Sequence, residues 1–216
     1  MKLFALIFLG VIYSFTSSAS LLISEGPTEN FEKVSLSPFA LVNIQNEKIK
    51  LTALGSGLRT KKIAFINIRV YVAQFFASSP EKIKRSDSEA LSSLKEQKAV
   101  AIQLHFLRDV ESDKVLKSFN DAMSVNHIDS EEADIKGILN AIKSEGEVKE
   151  GQTLTLVGAH LGDGSEMITI ESGKGKVTEF KGAPGLIEKV YSIWLGKPSD
   201  DGVGQLKRKL LRIPSN

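Results

Sequence analysis

The chain has 216 residues, enough for one domain with a substantial core, and no cysteine, which excludes disulfides, thiolate chemistry and thiol-linked lipids. Its formal net charge is +2, and Lys2 is the sole charge in residues 1–19, so without that segment the value is +1. A nearly neutral chain offers no electrostatic case for nucleic acid.

The opening MKLFALIFLGVIYSFTSSAS has a positive start at Lys2, an apolar run from Leu3 to Phe15, and small residues at Ser17 and Ala19. It reads as a secretory signal peptide over 1–19, cleaved near Ala19 or Ser20; the apolar run is short and weakly flanked for a spanning helix. An uncleaved anchor is the rival reading. The expected location is therefore the periplasm or the extracellular medium, without stable membrane insertion after cleavage. An exported chain lacking Cys fits a bacterial protein better than a disulfide-stapled animal domain.

Residues 20–38 read as an N-terminal arm or edge strand, and residues 39–213 as the domain proper. Lys48-Ile49-Lys50-Leu51-Thr52 alternates with period two, as a half-buried strand does. Gly55-Ser56-Gly57 allows a bulge or a close backbone approach. Ile63 to Phe76 reads as one strand, with Ile66, Ile68, Val70 and Val72 on one face and Phe65, Asn67, Arg69, Tyr71 and Ala73 on the other. Residues 78–97 read as a loop with a short helix, and 98–106 as a strand.

Helices follow over 110–125 and from Asp129 onward, where Asp129 is placed to cap and Glu132 to reciprocate. Strands return at 152–157, 166–171 and 175–180 with Gly-rich turns between them. GLIEKVYSIWLGKP is a helix stopped by Gly196 and Pro198, and VGQLKRKLLRI is the last helix. In that helix Lys207-Arg208-Lys209 reads as the solvated face, opposite Leu206, Leu210 and Ile213. This order argues an α+β fold with a largely antiparallel sheet.

No local motif carries chemistry. GSGLRTK lacks the spacing of a phosphate loop, and His105, His127 and His160 are too scattered for a metal site, so neither metal nor cofactor is expected. Trp194, at helical spacing from Tyr191 and Ile187, reads as core. Arg59 and Arg69 stand within an apolar stretch. By pattern alone, Arg59 is a solvent-facing residue or the partner of an acid such as Asp109, and Arg69 lies on the solvent side or a sheet rim.

LGSGLRTKKIAFINIRVYVAQFF resembles the chalcone isomerase-like family, whose members carry Gly-x-Gly-x-Arg before a hydrophobic strand. AIQLHFLRDVESDKV and LIEKVYSIWLGKPSDDGVGQLKRKLL resemble two further family segments, and the resemblance runs from Phe39 to Leu211. It implies an open-faced β-sandwich: a large antiparallel sheet backed by a layer of helices, with a cleft for a flat aromatic ligand or a fatty acid. It makes Arg59 the residue that binds the ligand's anionic oxygen. Asn67 and Tyr71, on one strand face with Phe65, are the candidate assistants, with plain sheet-surface packing as the equal alternative.

The family's reacting-ketone threonine falls on Ile66, its helix tyrosine and asparagine near Glu111 and Ser118, and its second threonine on Ile193. None of the four matches. Each lost oxyanion donor costs about 3–4 kcal/mol, and Glu111 would place a negative charge beside an anionic transition state. The expected function is a non-catalytic, exported protein binding a small hydrophobic carboxylate or phenolate. An isomerase (intramolecular lyase) acting on an enone, and a structural protein of the envelope, are the alternatives.

Overall fold

The computed structural model describes residues 20–214; the predicted leader lies outside them. Eight strands form one antiparallel sheet: β1 (Ile23–Glu25), β4 (Phe39–Ile44), β5 (Glu47–Ile63), β6 (Ile66–Ala77), β7 (Ala99–Phe106), β8 (Thr153–His160), β9 (Glu166–Glu171) and β10 (Val177–Gly182), in that spatial order. A separate two-stranded hairpin pairs β2 (Glu29–Phe31) with β3 (Val34–Leu36). β1 is an edge strand of the main sheet, so the segment before Phe39 is built into the domain. Four helices, α1 (Ser112–Val125), α2 (Ala133–Ser144), α3 (Leu186–Leu195) and α4 (Asp201–Leu211), cover one face. This is the α+β open-faced sandwich expected.

The main core lies between sheet and helices, where Phe75, Ile102, Leu104 and Leu156 meet Phe119, Ile138, Tyr191 and Trp194. Tyr191 ties the layers together by donating to the carbonyls of Val100 and Leu156 at 3.1 and 2.9 Å. A second core lies on the other face. There the sheet curls until Leu22, Val42, Ile49 and Leu51 pack over Ala101, Val157 and Ala159.

Several sequence expectations shift. The apolar run 63–76 is a hairpin rather than one strand: Ile63 pairs with Ile66 across a turn at Ala64-Phe65, where Ala64 adopts φ 54°. The second long helix starts at Ala133 with Glu132 as N-cap, and the Glu132 side chain makes no capping bond. Asp129 instead turns back to accept the Glu131 backbone N–H at 2.9 Å. Lys207 is not on the solvated face. It is 2% exposed and donates to the carbonyls of Gly196 (2.9 Å) and Asp87 (2.6 Å).

Candidate functional site

Gly55, Gly57 and Arg59 alternate along β5 with period two, so all three face the helices. At the glycines, α4 comes down onto the bare strand. A methyl on Gly57 would stand 2.7 Å from Lys209 Cβ, and one on Gly55 would collide with the carbonyls of Lys209 and Leu210. The φ angles of both glycines are ordinary, so they supply room rather than backbone freedom. The same docking carries the N-terminus of α4 over Arg59. Asp200, the N-cap of α4, accepts from the Val203 backbone N–H at 2.9 Å and from Arg59 Nη2 at 2.6 Å. Gly202 completes the fit, because any side chain there would strike Arg59 and the Thr60 carbonyl.

Arg59 is thus 3% exposed. It donates to Asp200 and to the Thr60 carbonyl, which leaves others of its five N–H donors for the Tyr71 hydroxyl and for the cleft that it lines. Burial works against the charged form of Asp200. The Arg59 hydrogen bond, the Val203 and Gly202 amides and the guanidinium charge outweigh it, leaving the carboxyl below its usual range. The acid paired with Arg59 is Asp200, not Asp109. Asp109 receives the Glu150 amide at 2.8 Å and Lys149 Nζ at 3.0 Å, and these bonds hold its carboxyl low as well.

A cleft of about 320 Å³ opens beside Arg59, between the β5–β6–β7 face and α1. Its walls include Ile68, Val70, Leu104, Phe106, Val115 and Phe119, and Lys61, Arg108 and Lys114 bring positive charge to its lining. Tyr71, directly across the ladder from Arg59, also lines it. The Tyr71 hydroxyl accepts from Trp194 Nε1 at 3.2 Å, which leaves its own proton to donate. Burial raises its pKa despite the opposing pull of Arg59 and the Trp194 bond, so it stays a neutral donor. An apolar slot floored by a guanidinium and a phenol hydroxyl can hold an anionic or strongly polarised oxygen and shelter the attached hydrocarbon.

A β-bulge decides which residues of β6 reach this slot. Arg59 pairs with Tyr71 but Thr60 with Arg69, so Val70 is inserted without a partner and the alternation slips. Beyond the bulge Ile68 faces the cleft, and Asn67 and Arg69 turn to the other side. Asn67, expected to assist Arg59, is exposed and outside the cleft. Arg69 forms an ion pair with Glu32 near the β2–β3 turn.

The four substituted family positions scatter. Ser118 lines the cleft, whereas Ile66 sits at the hairpin tip and Ile193 is buried in the core. Glu111 is the exposed N-cap of α1, paired with Lys114 at 3.0 Å and outside the cleft lining. It does not set a negative charge against a bound anion, so that argument against isomerisation falls. Phe106 forms part of the cleft wall, and Trp194, read from the sequence as core, lies behind Tyr71.

Sequence reasoning missed Asp200, Gly202 and the basic lining. Pro198-Ser199-Asp200 before an apolar-periodic helix is a readable capping signal, but nothing local links it to an arginine 141 positions away. Among the described residues no cluster of His, Asp and Glu could hold a metal ion, and no helix is long and apolar enough to cross a membrane.

A family model described as chalcone isomerase-like matches residues 31–212. No curated protein matches. Among solved structures, an Arabidopsis thaliana fatty-acid binding protein superposes with a TM-score of 0.60 at 17% identity, covering 85% of this chain and 95% of the plant chain. At that identity the likeness concerns the fold.

Proposed function

The chain belongs to the chalcone isomerase-like family, and from that premise we propose that it is an exported, non-catalytic binding protein for a hydrophobic carboxylate of the fatty-acid class. The observation that carries the reading is the buried guanidinium of Arg59 opening into an apolar cleft of about 320 Å³. The carboxylate takes the Arg59 donors left over from Asp200 and Thr60, and accepts the Tyr71 hydroxyl proton. The chain of the acid lies against Val70, Leu104, Phe106 and Phe119. The volume is at the low end of the roughly 300–1,000 Å³ usual for small-molecule sites, which favours medium-length acyl chains. That the plant neighbour is a fatty-acid binding protein supports the ligand class, and the leader read over residues 1–19 supports a periplasmic or secreted location. Asp109, the carboxylate of the lining, is held ionised by Glu150 and Lys149, a poor starting point for a general base.

Trp194, the single tryptophan, bonds to Tyr71 and so reports on the cleft. Titration with dodecanoate should change its emission saturably, and native mass spectrometry should find a co-purified acid. Arg59→Ala should lose both signals. Ser118→Phe, which fills the cleft and spares the Arg59–Asp200 pair, should lose them in a folded protein. Equal retention by both variants would refute the reading. Turnover of a chalcone or related enone, abolished by Arg59→Ala, would assign an isomerase instead.

A further inference from the structure

Three of the five large apolar side chains exposed among the described residues sit together at the β5–β6 tip: Ile63 (55% exposed), Phe65 (97%) and Ile66 (69%). Ile63 borders the cleft, while Phe65 and Ile66 lie outside its lining. Phe65 stands on the turn itself, and Ile63 and Ile66 face each other across the last rung of the ladder. Scattered apolar side chains are ordinary on a protein surface, whereas a contiguous group on a protruding hairpin marks a contact.

The charges on the strand leading to the tip are positive, and the acid of the adjoining cleft lining, Asp109, is bonded to Lys149 and to the Glu150 amide. Lys61 and Lys62 precede the tip on β5, and Arg108 shares the cleft lining with Lys61. Among the described residues none of these three forms a salt bridge. A second copy docking tip to tip would press these lysines against their own equivalents. An apolar tip ringed by unpaired cations instead fits a surface that is greasy inside and negative at its boundary.

We propose that the β5–β6 hairpin docks reversibly on an anionic lipid bilayer, with Phe65 and Ile66 entering the boundary between headgroups and acyl chains and Lys61, Lys62 and Arg108 resting on the lipid phosphates. Docking in this pose turns the cleft toward the membrane, because Lys61, Ile63 and Ile68 of the same hairpin form its wall. The hairpin's lipid contact does not require the cleft to hold a ligand; only its use as a route for lipid-derived acids rests on the function proposed above.

The test is co-sedimentation of the chain from Ser20 onward, which contains every described element of the fold, with vesicles of phosphatidylcholine alone or with 30% phosphatidylglycerol. Binding to the anionic vesicles, weakened by 0.5 M salt, is expected. The double variant F65D/I66D should lower the partition coefficient at least tenfold, and Lys62→Gln by about fivefold, since one basic residue near such a surface is worth about that factor. If the double variant fails to fold, Phe65→Ser at the turn should still lower binding severalfold. Partition of the folded variants within twofold of the unaltered protein, or equal binding to neutral vesicles, would overturn the proposal. So would a tip-dependent dimer in sedimentation velocity with no vesicle binding. Retained acid is measured in the same preparations. Phe65 and Ile66 lie outside the cleft lining, so either reading can fail while the other stands.

Discussion

Gly55→Ala should unseat α4 from β5 and do so more severely than Gly57→Ala. A methyl at Gly55 would stand 2.5 Å from the Leu210 carbonyl oxygen and 2.9 Å from its carbon, with the Lys209 oxygen nearer still. A carbon and a carbonyl oxygen ordinarily keep about 3.3–3.6 Å apart, so the last turn of α4 must lift by about an ångström. Backbone cannot rotate out of the way, and the lift pulls Leu206 and Leu210, both fully buried, off the sheet. Overpacking typically costs about 1–3 kcal/mol, and obstacles made of main chain place Gly55→Ala at the top of that range. At Gly57 the obstacles are Lys209 Cβ at 2.7 Å and Leu206 Cδ1 at 3.0 Å, and a leucine tip can turn aside, so about 1–2 kcal/mol is expected. Urea unfolding followed by far-ultraviolet circular dichroism, with the slope unchanged and the midpoint lowered, measures both. The lift should also part Asp200 from Arg59 and weaken dodecanoate binding in Gly55→Ala. A reversed order, or a cost below about 1 kcal/mol for Gly55→Ala, would refute this account of the Gly-x-Gly-x-Arg segment.

Two other perturbations test buried ionisable groups. His105 is pushed by burial from its ordinary 6.5 down to about 4, so the folded protein keeps it neutral while the unfolded chain takes up a proton. Its contribution is complete above pH 6.5 and is lost as the pH falls from there toward 4. Between pH 7 and 4.5 that is about 2–3 kcal/mol. His105→Leu should lose correspondingly less than the unaltered protein over that interval, as read by urea midpoints at the two pH values; parallel losses would contradict it. Lys207→Ala should cost about 2–4 kcal/mol, because the carbonyls of Asp87 and Gly196 lose a charged donor and the removed stem leaves a cavity. Exposed Lys209→Ala should change the melting midpoint little.

Much of the architecture was legible because it is written in local patterns. The strand at Glu166–Glu171 and the helix stopped at Gly196 follow from alternation and from a stop signal that each act over a few residues. What stayed hidden depends on partners remote in sequence or on turns lacking their usual residues. The β5–β6 turn uses Ala64 and Phe65 rather than Asn-Gly, so an unbroken apolar run concealed it. The bulge at Val70 then reverses the faces, which is why Tyr71 lies across from Arg59 while Asn67 turns to the other side. Lys207 was misread for a related reason: its charge is satisfied by two carbonyls outside its own helix, and helical periodicity carries no record of them.

β5 has a consequence for how the molecule comes apart. Its first half lends Ile49 and Leu51 to one apolar cluster, and Leu54 further along belongs to the other. One seventeen-residue strand, bulged at Leu54 between Ala53 and Gly55, therefore runs through both, and neither can dissolve while the other holds that strand paired. Heat should melt the two together in a single calorimetric step, with no half-open species for proteases to find.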